Sequence, residues 1–369
     1  GHETANGVPL VLETTSDTEL MNNPRASVQQ VYGRIMEDLD EAITLLTGAS
    51  ARADKAEISV EVAYGLRARA NLLMGKWAAA ASDAAKAYGT SAPYSVADVS
   101  QPTFYNATDN AWIWGIVVTT EDYLAKTGIV NWPSNLCSLT GMGYTTAASA
   151  TDVAYRLINK NLWAKIPETD VRKGWWVDED LHSPVLDNGL GEDYAYYWAN
   201  GMFNGGTFPS KFSPYTNVKF GPDNGTFADT DNAQDWPLMR VEEMKLIEAE
   251  ALGRDNLATG KQKLEEFVRQ YRDPSYTCTA GSLDAFIDEV WFQRRVELWG
   301  EGFALFDILR LKKPIIRQGA NYPINSTFAE IAAEAPIMIY RIPEAETSVN
   351  SAITEADNNP AAMAPTPVN

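Results

Sequence analysis

The sequence predicts a mainly α protein, a scaffold of helical hairpins carrying a large irregular, aromatic-rich excursion that contains short strands. Three observations predict it. Apolar residues recur at helical spacing in four stretches, which fall in two groups, 24–90 and 237–316. Between them, 91–236 turns to Gly, Pro, Asn, Asp, Ser and Thr and holds most of the tryptophans. Third, 288–310 interleaves Arg294, Arg295, Glu297, Glu301, Asp307 and Arg310 with Val290, Trp291, Val296, Leu298, Phe303, Phe306 and Leu309, too apolar for a solvated helix and too charged for an ordinary core helix. We expect one domain over 1–369, with 317–369 a C-terminal extended or coil segment.

The first helix should follow Pro24 with Ser27 as its N-cap, because Val31, Ile35, Leu39, Ala42 and Leu46 then share a face, and Gly48 should close it. The stretch 59–88 reads as a hairpin broken near Gly75 and Lys76. Its Tyr64, Ala68, Trp77, Ala80 and Ala87, followed by Pro93, sit at roughly tetratricopeptide offsets, where small residues let two helices approach. A second hairpin over 239–272 should break between Gly253 and Gly260, and 283–311 should break at Gly300 or Gly302. Within the excursion, 112–118 reads as a buried strand, 217–220 as a short one and 152–165 as a helix. A last extended piece is expected over 337–342.

The ions of 288–310 are expected to be partly buried and paired, since an unpaired buried charge costs about 3–5 kcal/mol. Arg295, Glu297, Glu301, Asp307 and Arg310 are the expected members of that network. Elsewhere charge works by exclusion. Acidic residues outnumber basic ones 49 to 30, and the net charge of −19 repels a nucleic acid. The longest strongly apolar stretch, near 111–118, is too short to span a bilayer. Cys137 and Cys278 have no metal-ligand spacing and say little about redox compartment.

Catalytic patterns are weak. The histidines are His2 and His182, so a nucleophilic triad would rest on His182 with no Gly-x-Ser-x-Gly elbow to support it. Gly300-Glu-Gly302 and Gly141-Met-Gly143 lack the rest of a phosphate loop. Asp178-Glu179-Asp180 reads better as a solvated acidic loop than as half of a glycosidase pair. Asp229-Thr-Asp231 starts like a calcium loop but continues with Ala233 and Gln234, which leaves only an irregular calcium site open. No cofactor and no catalytic residue is expected.

The excursion's aromatics are the better lead. Sugars stack their C–H faces on indole and phenol rings while their hydroxyls need amides and carboxylates nearby. Trp132, Tyr144, Trp175, Trp176, Tyr196, Tyr197, Trp198 and Asn200 offer that mixture on a turn-rich insertion, where binding surfaces are commonly built. Alternating rings such as Trp112 and Trp114 read as core.

Four motifs together resemble the SusD/RagB family of Bacteroidetes outer-membrane nutrient-binding lipoproteins. Val31-Tyr-Gly-Arg-Ile-Met-Glu-Asp-Leu-Asp-Glu-Ala42 is similar to the family's Tyr-x-x-Ile-x-x-Asp-Leu-x-x-Ala helix. Met239-Arg-Val-Glu-Glu-Met-Lys-Leu-Ile-Glu-Ala-Glu-Ala251 is similar to its Arg-x-x-Glu-x-x-Leu-Ile-x-Ala-Glu-Ala helix. Arg295-Val-Glu-Leu-Trp-Gly-Glu-Gly302 with Asp307 and Arg310 matches Arg-x-x-Glu-Leu-x-x-Glu-Gly and the Asp and Arg that follow. Arg341-Ile-Pro343, Glu346 and Asn359-Pro360 echo the tail. Ala304 and Asn358 depart from the usual Arg and Gln.

The resemblance implies a tetratricopeptide-like scaffold and a non-enzymatic, lipid-anchored protein of the outer-membrane surface. Such a protein captures an oligosaccharide or polysaccharide, or alternatively a peptide, as a lid on a SusC-like TonB-dependent transporter. A glycoside hydrolase is the weaker reading. The family's N-terminal helices and lipidated cysteine are expected upstream of residue 1.

Overall fold

The structure, a computed structural model, describes residues 2–126, 132–140, 155–202, 211–323, 327–328, 330–363 and 365–368. Helices dominate it, with two short two-stranded sheets among the described residues. The chain divides into two compact units, 1–47 with 304–369, and 48–303. The boundaries cut both scaffold stretches read from the sequence.

In the first unit β1 (Asn6–Pro9) pairs antiparallel with β2 (Arg25–Ser27). Ser27 then caps the helix Val28–Leu46 through a reciprocal pair. Its Oγ accepts from the Gln30 N–H at 3.2 Å, and Gln30 Oε1 accepts from the Ser27 N–H at 2.8 Å. Arg25 ties both chain ends together, donating to Gly7 O and Asn6 O at 2.8 Å and to Asp357 O at 2.6 Å. The piece 337–342 departs from expectation. Pro336–Met338 is a 3₁₀ turn, and beyond it asparagine side chains take the backbone groups that a neighbouring strand would use. Asn358 bonds both the N–H and the C=O of Ile342, and Asn359 donates to Tyr340 O.

The second unit holds the hairpins. Val60–Leu73 and Trp77–Tyr88 pack together across Gly75, and Val241–Asp255 packs against Trp77–Tyr88, Leu257–Tyr271 and Leu283–Glu297. Ala68, Ala80, Ala84 and Ala87 meet Met239, Met244 and Ile247 in one buried cluster, so small residues set the helix spacing. Glycines do the same on the other face of Val241–Asp255. The break expected between Gly253 and Gly260 is confined to Asn256, which caps Leu257–Tyr271 by accepting from the Thr259 N–H. Both glycines lie inside helices, where a Cβ on Gly260 would stand 2.3 Å from Gly253 Cα. An exposed helical Gly→Ala change ordinarily stabilises by about 1 kcal/mol. Here overlap with backbone outweighs that gain, and Gly260→Ala is expected to cost about 1–3 kcal/mol, read as a lowered melting temperature.

One sheet joins the excursion to the helix that follows it. β3 (Trp112–Ile116) pairs antiparallel with β4 (Trp236–Arg240), which leads directly into Val241–Asp255. The expected strand over 217–220 is instead two isolated bridges, Trp176 with Asn217 and Thr103 with Phe220, because different partners take successive residues. Of the expected helix over 152–165, residues 152–154 lie outside the described residues. The described remainder forms only the turn Lys160–Trp163, capped by Asn159. Trp112, Trp175, Trp176, Trp198, Phe104 and Phe220 build a second core inside the excursion.

Candidate functional site

A buried ionic network underlies the excursion. The carboxylate of Glu297 accepts from Arg272 at 2.8 and 2.9 Å, from Arg172 at 3.3 Å and from Arg240 at 3.4 Å. Glu301 receives a bidentate pair from Arg240, both at 2.8 Å, and Lys219 Nζ at 2.6 Å. Glu242 pairs with Arg240 and Arg272, and Asp170 with Arg172. The four cations are Arg172, Lys219, Arg240 and Arg272, and the four carboxylates are Asp170, Glu242, Glu297 and Glu301, so the cluster is formally neutral.

Burial drives the Glu301 carboxyl up, but Arg240 and Lys219 outweigh it and hold it below the ordinary range. Glu297 goes the same way, burial being overcome by Arg272, Arg240 and Arg172. Burial pushes Lys219 down to about 8 against the pull of Glu301. Of the other signature ions, Arg295 lies 4.8 Å over the Trp291 ring. Arg310 Nε donates to Asp307 Oδ1 at 2.8 Å within the first unit.

Within the excursion, Ser183 caps the helix Pro184–Leu190, and Gly191 at φ +80° turns the chain into the helix Glu192–Ala199. Ala195, Trp198 and Ala199 form that helix's buried face, one turn apart. Tyr194 and Tyr196 are each 57% exposed and Tyr197 47%, so three phenol rings stand in solvent on one short helix. The Tyr196 and Tyr197 rings meet edge to face at 5.9 Å. Beside Tyr196 lies a cleft of about 400 Å³ whose wall includes Asp180, His182, Asp187, Glu192 and Asp193. His182 Nε2 stands 2.5 Å from Asp187 Oδ2. Glu192 and Asp193 also occupy the helix's first turn, where the macrodipole favours them.

The aromatic candidates divide by burial. Trp175 and Trp176 are 0 and 1% exposed and Trp198 is 1% exposed, which corrects the expectation that their rings face a ligand. Trp175 donates to Val99 O and packs against Phe104, while Trp176 packs between Trp175 and Trp299. Trp198 donates to Ser138 O and packs on Phe227. Trp132 is half-buried between Phe220 and Trp236. Asn200 is half-buried and donates to Tyr196 O. Tyr144 lies outside the described residues. Tyr196 and Tyr197 therefore remain as open platforms, and Tyr194 is exposed on the same helix.

Of the cleft's acids, only Asp180 drew notice in the sequence, as part of a solvated acidic loop. The period of Ala195, Trp198 and Ala199 is the signal that separates the inward tryptophan from the outward tyrosines. Among the described residues no group of three or more His, Cys, Asp or Glu side chains is placed to hold a metal ion, and no helix is long and apolar enough to cross a membrane.

The family model for the SusD family matches residues 145–360, more than half of the chain, and the chain belongs to that family. Solved structures share the fold. One is similar at 22% identity and a TM-score of 0.71, a SusD-like carbohydrate binding protein from Bacteroides vulgatus ATCC 8482, with 96% of this chain and 71% of that one covered. A SusD superfamily protein from Bacteroides thetaiotaomicron VPI-5482 is 20% identical at a TM-score of 0.71, with 97% and 72% covered. Surface glycan-binding protein A from Bacteroides uniformis is 17% identical at a TM-score of 0.60, with 97% and 74% covered. No curated protein matches the chain.

Proposed function

We propose that this protein binds an oligosaccharide or polysaccharide at the cell surface without cleaving it and passes it to a SusC-like TonB-dependent outer-membrane transporter, itself held there by a lipid anchor. The observation that carries the reading is the open tyrosine face of Glu192–Ala199 beside a cleft walled by carboxylates. Rings with a free face take the C–H side of a sugar, and carboxylates at the rim accept its hydroxyl protons. Family membership supports this, and so do the carbohydrate-binding and glycan-binding names of structures with the same fold.

An open face desolvates little of its ligand, so affinity per site is modest and repeated units of a long chain raise it. Affinity electrophoresis against plant, host and microbial polysaccharides is expected to retard the protein in at least one gel, with no reducing ends released. Migration unchanged across the whole panel argues against the reading, and release of reducing ends argues for a hydrolase.

A further inference from the structure

A second cavity, of about 340 Å³, shares His182 of its wall with the tyrosine cleft. Both are built on the same two pieces of chain. One loop sends Asp178 to the second cavity and Asp180 to the cleft. The helix Pro184–Leu190 sends Val185 and Asn188 to the second cavity and Asp187 to the cleft, while Leu186 is buried. Residues three apart share a helix face and successive ones turn by about 100°, so Val185 and Asn188 look one way and Asp187 another. The helix is therefore the partition, and neighbouring residues on it reach different cavities. His182 stands at the join. It is exposed, and its Nε2 2.5 Å from Asp187 Oδ2 ties the ring to the edge of the partition.

The second cavity is furnished for a neutral, hydroxyl-bearing ligand. Val171, Pro184 and Val185 supply apolar wall, and the exposed Asn188 donates its amide nitrogen to Ser100 O at 3.0 Å. That bond orients the carbonyl oxygen of Asn188, which can accept from a hydroxyl. The cations at the wall are already taken, Arg272 by Glu242 and Glu297, and Lys173 by Glu168. An anionic ligand would have to displace those partners. The volume falls at the lower end of the range for small-molecule pockets, which combine apolar walls with a few polar groups.

We propose that the two cavities are consecutive subsites for one oligosaccharide, which rests on Tyr196 in the cleft, crosses His182 and enters the second cavity beside Asn188. The choice of a sugar rests on the glycan reading above. The path across His182 rests on the shared wall and on the helix that divides it. Each further sugar unit past His182 is then held by the same protein molecule, and the gain in affinity with chain length comes from a place in the fold.

The test is calorimetric titration of the whole chain with ladders of malto-, cello-, laminari-, xylo- and manno-oligosaccharides of two to six units, and with a ladder cut from whichever polysaccharide retards the protein. Affinity is expected to rise at least about tenfold from the shortest to the longest member of one ladder. Asn188→Trp and Glu168→Trp crowd the second cavity from exposed positions on two separate segments. Each should cut that rise to less than about threefold, whereas Tyr196→Ala should weaken binding at every length. A full rise that persists in either folded tryptophan variant belongs to repeated use of one site and overturns the proposal. So does the absence of any rise in a protein that polysaccharide retards. Both outcomes leave the glycan reading standing, whereas retardation by no polysaccharide removes that reading and the subsites with it.

Discussion

Glu297→Ala lowers the stability of the 48–303 unit by about 3–5 kcal/mol, the cost of leaving buried charge without its partner. Glu297 is fully buried and shared by Arg172, Arg240 and Arg272, so its loss leaves three guanidinium groups facing one another with an excess positive charge. At that size of unit the melting temperature falls by on the order of 10 °C. The control is Arg34→Ala, which removes an exposed pair with Asp38 and is worth at most about 1 kcal/mol. Equal effects from the two variants would mean that the network contributes no more than surface charge.

Acid provides a second reading of the same cluster. Glu297 and Glu301 are held below the ordinary 4.5, so the stability they contribute is complete above that pH and drains away as pH falls beneath it. Glu242 is pushed the other way by burial, against Arg240 and Arg272, and offsets part of the loss. Melting temperature is therefore expected to drop below pH 4.5, and more shallowly in Glu301→Gln.

The scaffold was legible because its causes are local. Ser27 caps the helix that its position before Val28 announces, and Ala68, Ala80 and Ala87 sit where the hairpin needs small residues. The ionic network was half legible. Glu297 and Glu301 stand out as charges in an apolar helical segment, but their partners Arg172, Lys219, Arg240 and Arg272 are scattered over a hundred residues of chain. Pairing at that separation leaves no periodic trace. Gly253 and Gly260 misled for a related reason, since a glycine that ends a helix and a glycine that lets two helices touch look alike until the neighbour is known. Composition brought Tyr196, Tyr197 and Trp198 together as candidates, and only the helix separates them. Successive residues are turned about 100° apart, so one of three adjacent rings goes inward.

That division makes the paired tyrosines and the tryptophan behave oppositely when removed. Tyr196→Ala with Tyr197→Ala deletes two rings exposed at 57 and 47%, so the melting temperature should stay within about 1–2 °C of the parent. An aromatic pair contributes about 0.5–1.5 kcal/mol beyond the area it covers, and at the same scale for each ring on a sugar face the double variant should lose roughly tenfold or more in polysaccharide affinity. Trp198→Ala empties a site buried to 1% and breaks the bond to Ser138 O, at a cost of about 3–5 kcal/mol in stability. Its loss of binding would then follow its loss of fold. Calorimetry against whichever polysaccharide retards the protein, run beside thermal melts, separates the cases. A double tyrosine variant that keeps full affinity while folding normally would move the binding face off Glu192–Ala199. Reduced affinity at unchanged stability is the result expected of rings that stand in solvent and hold up nothing else.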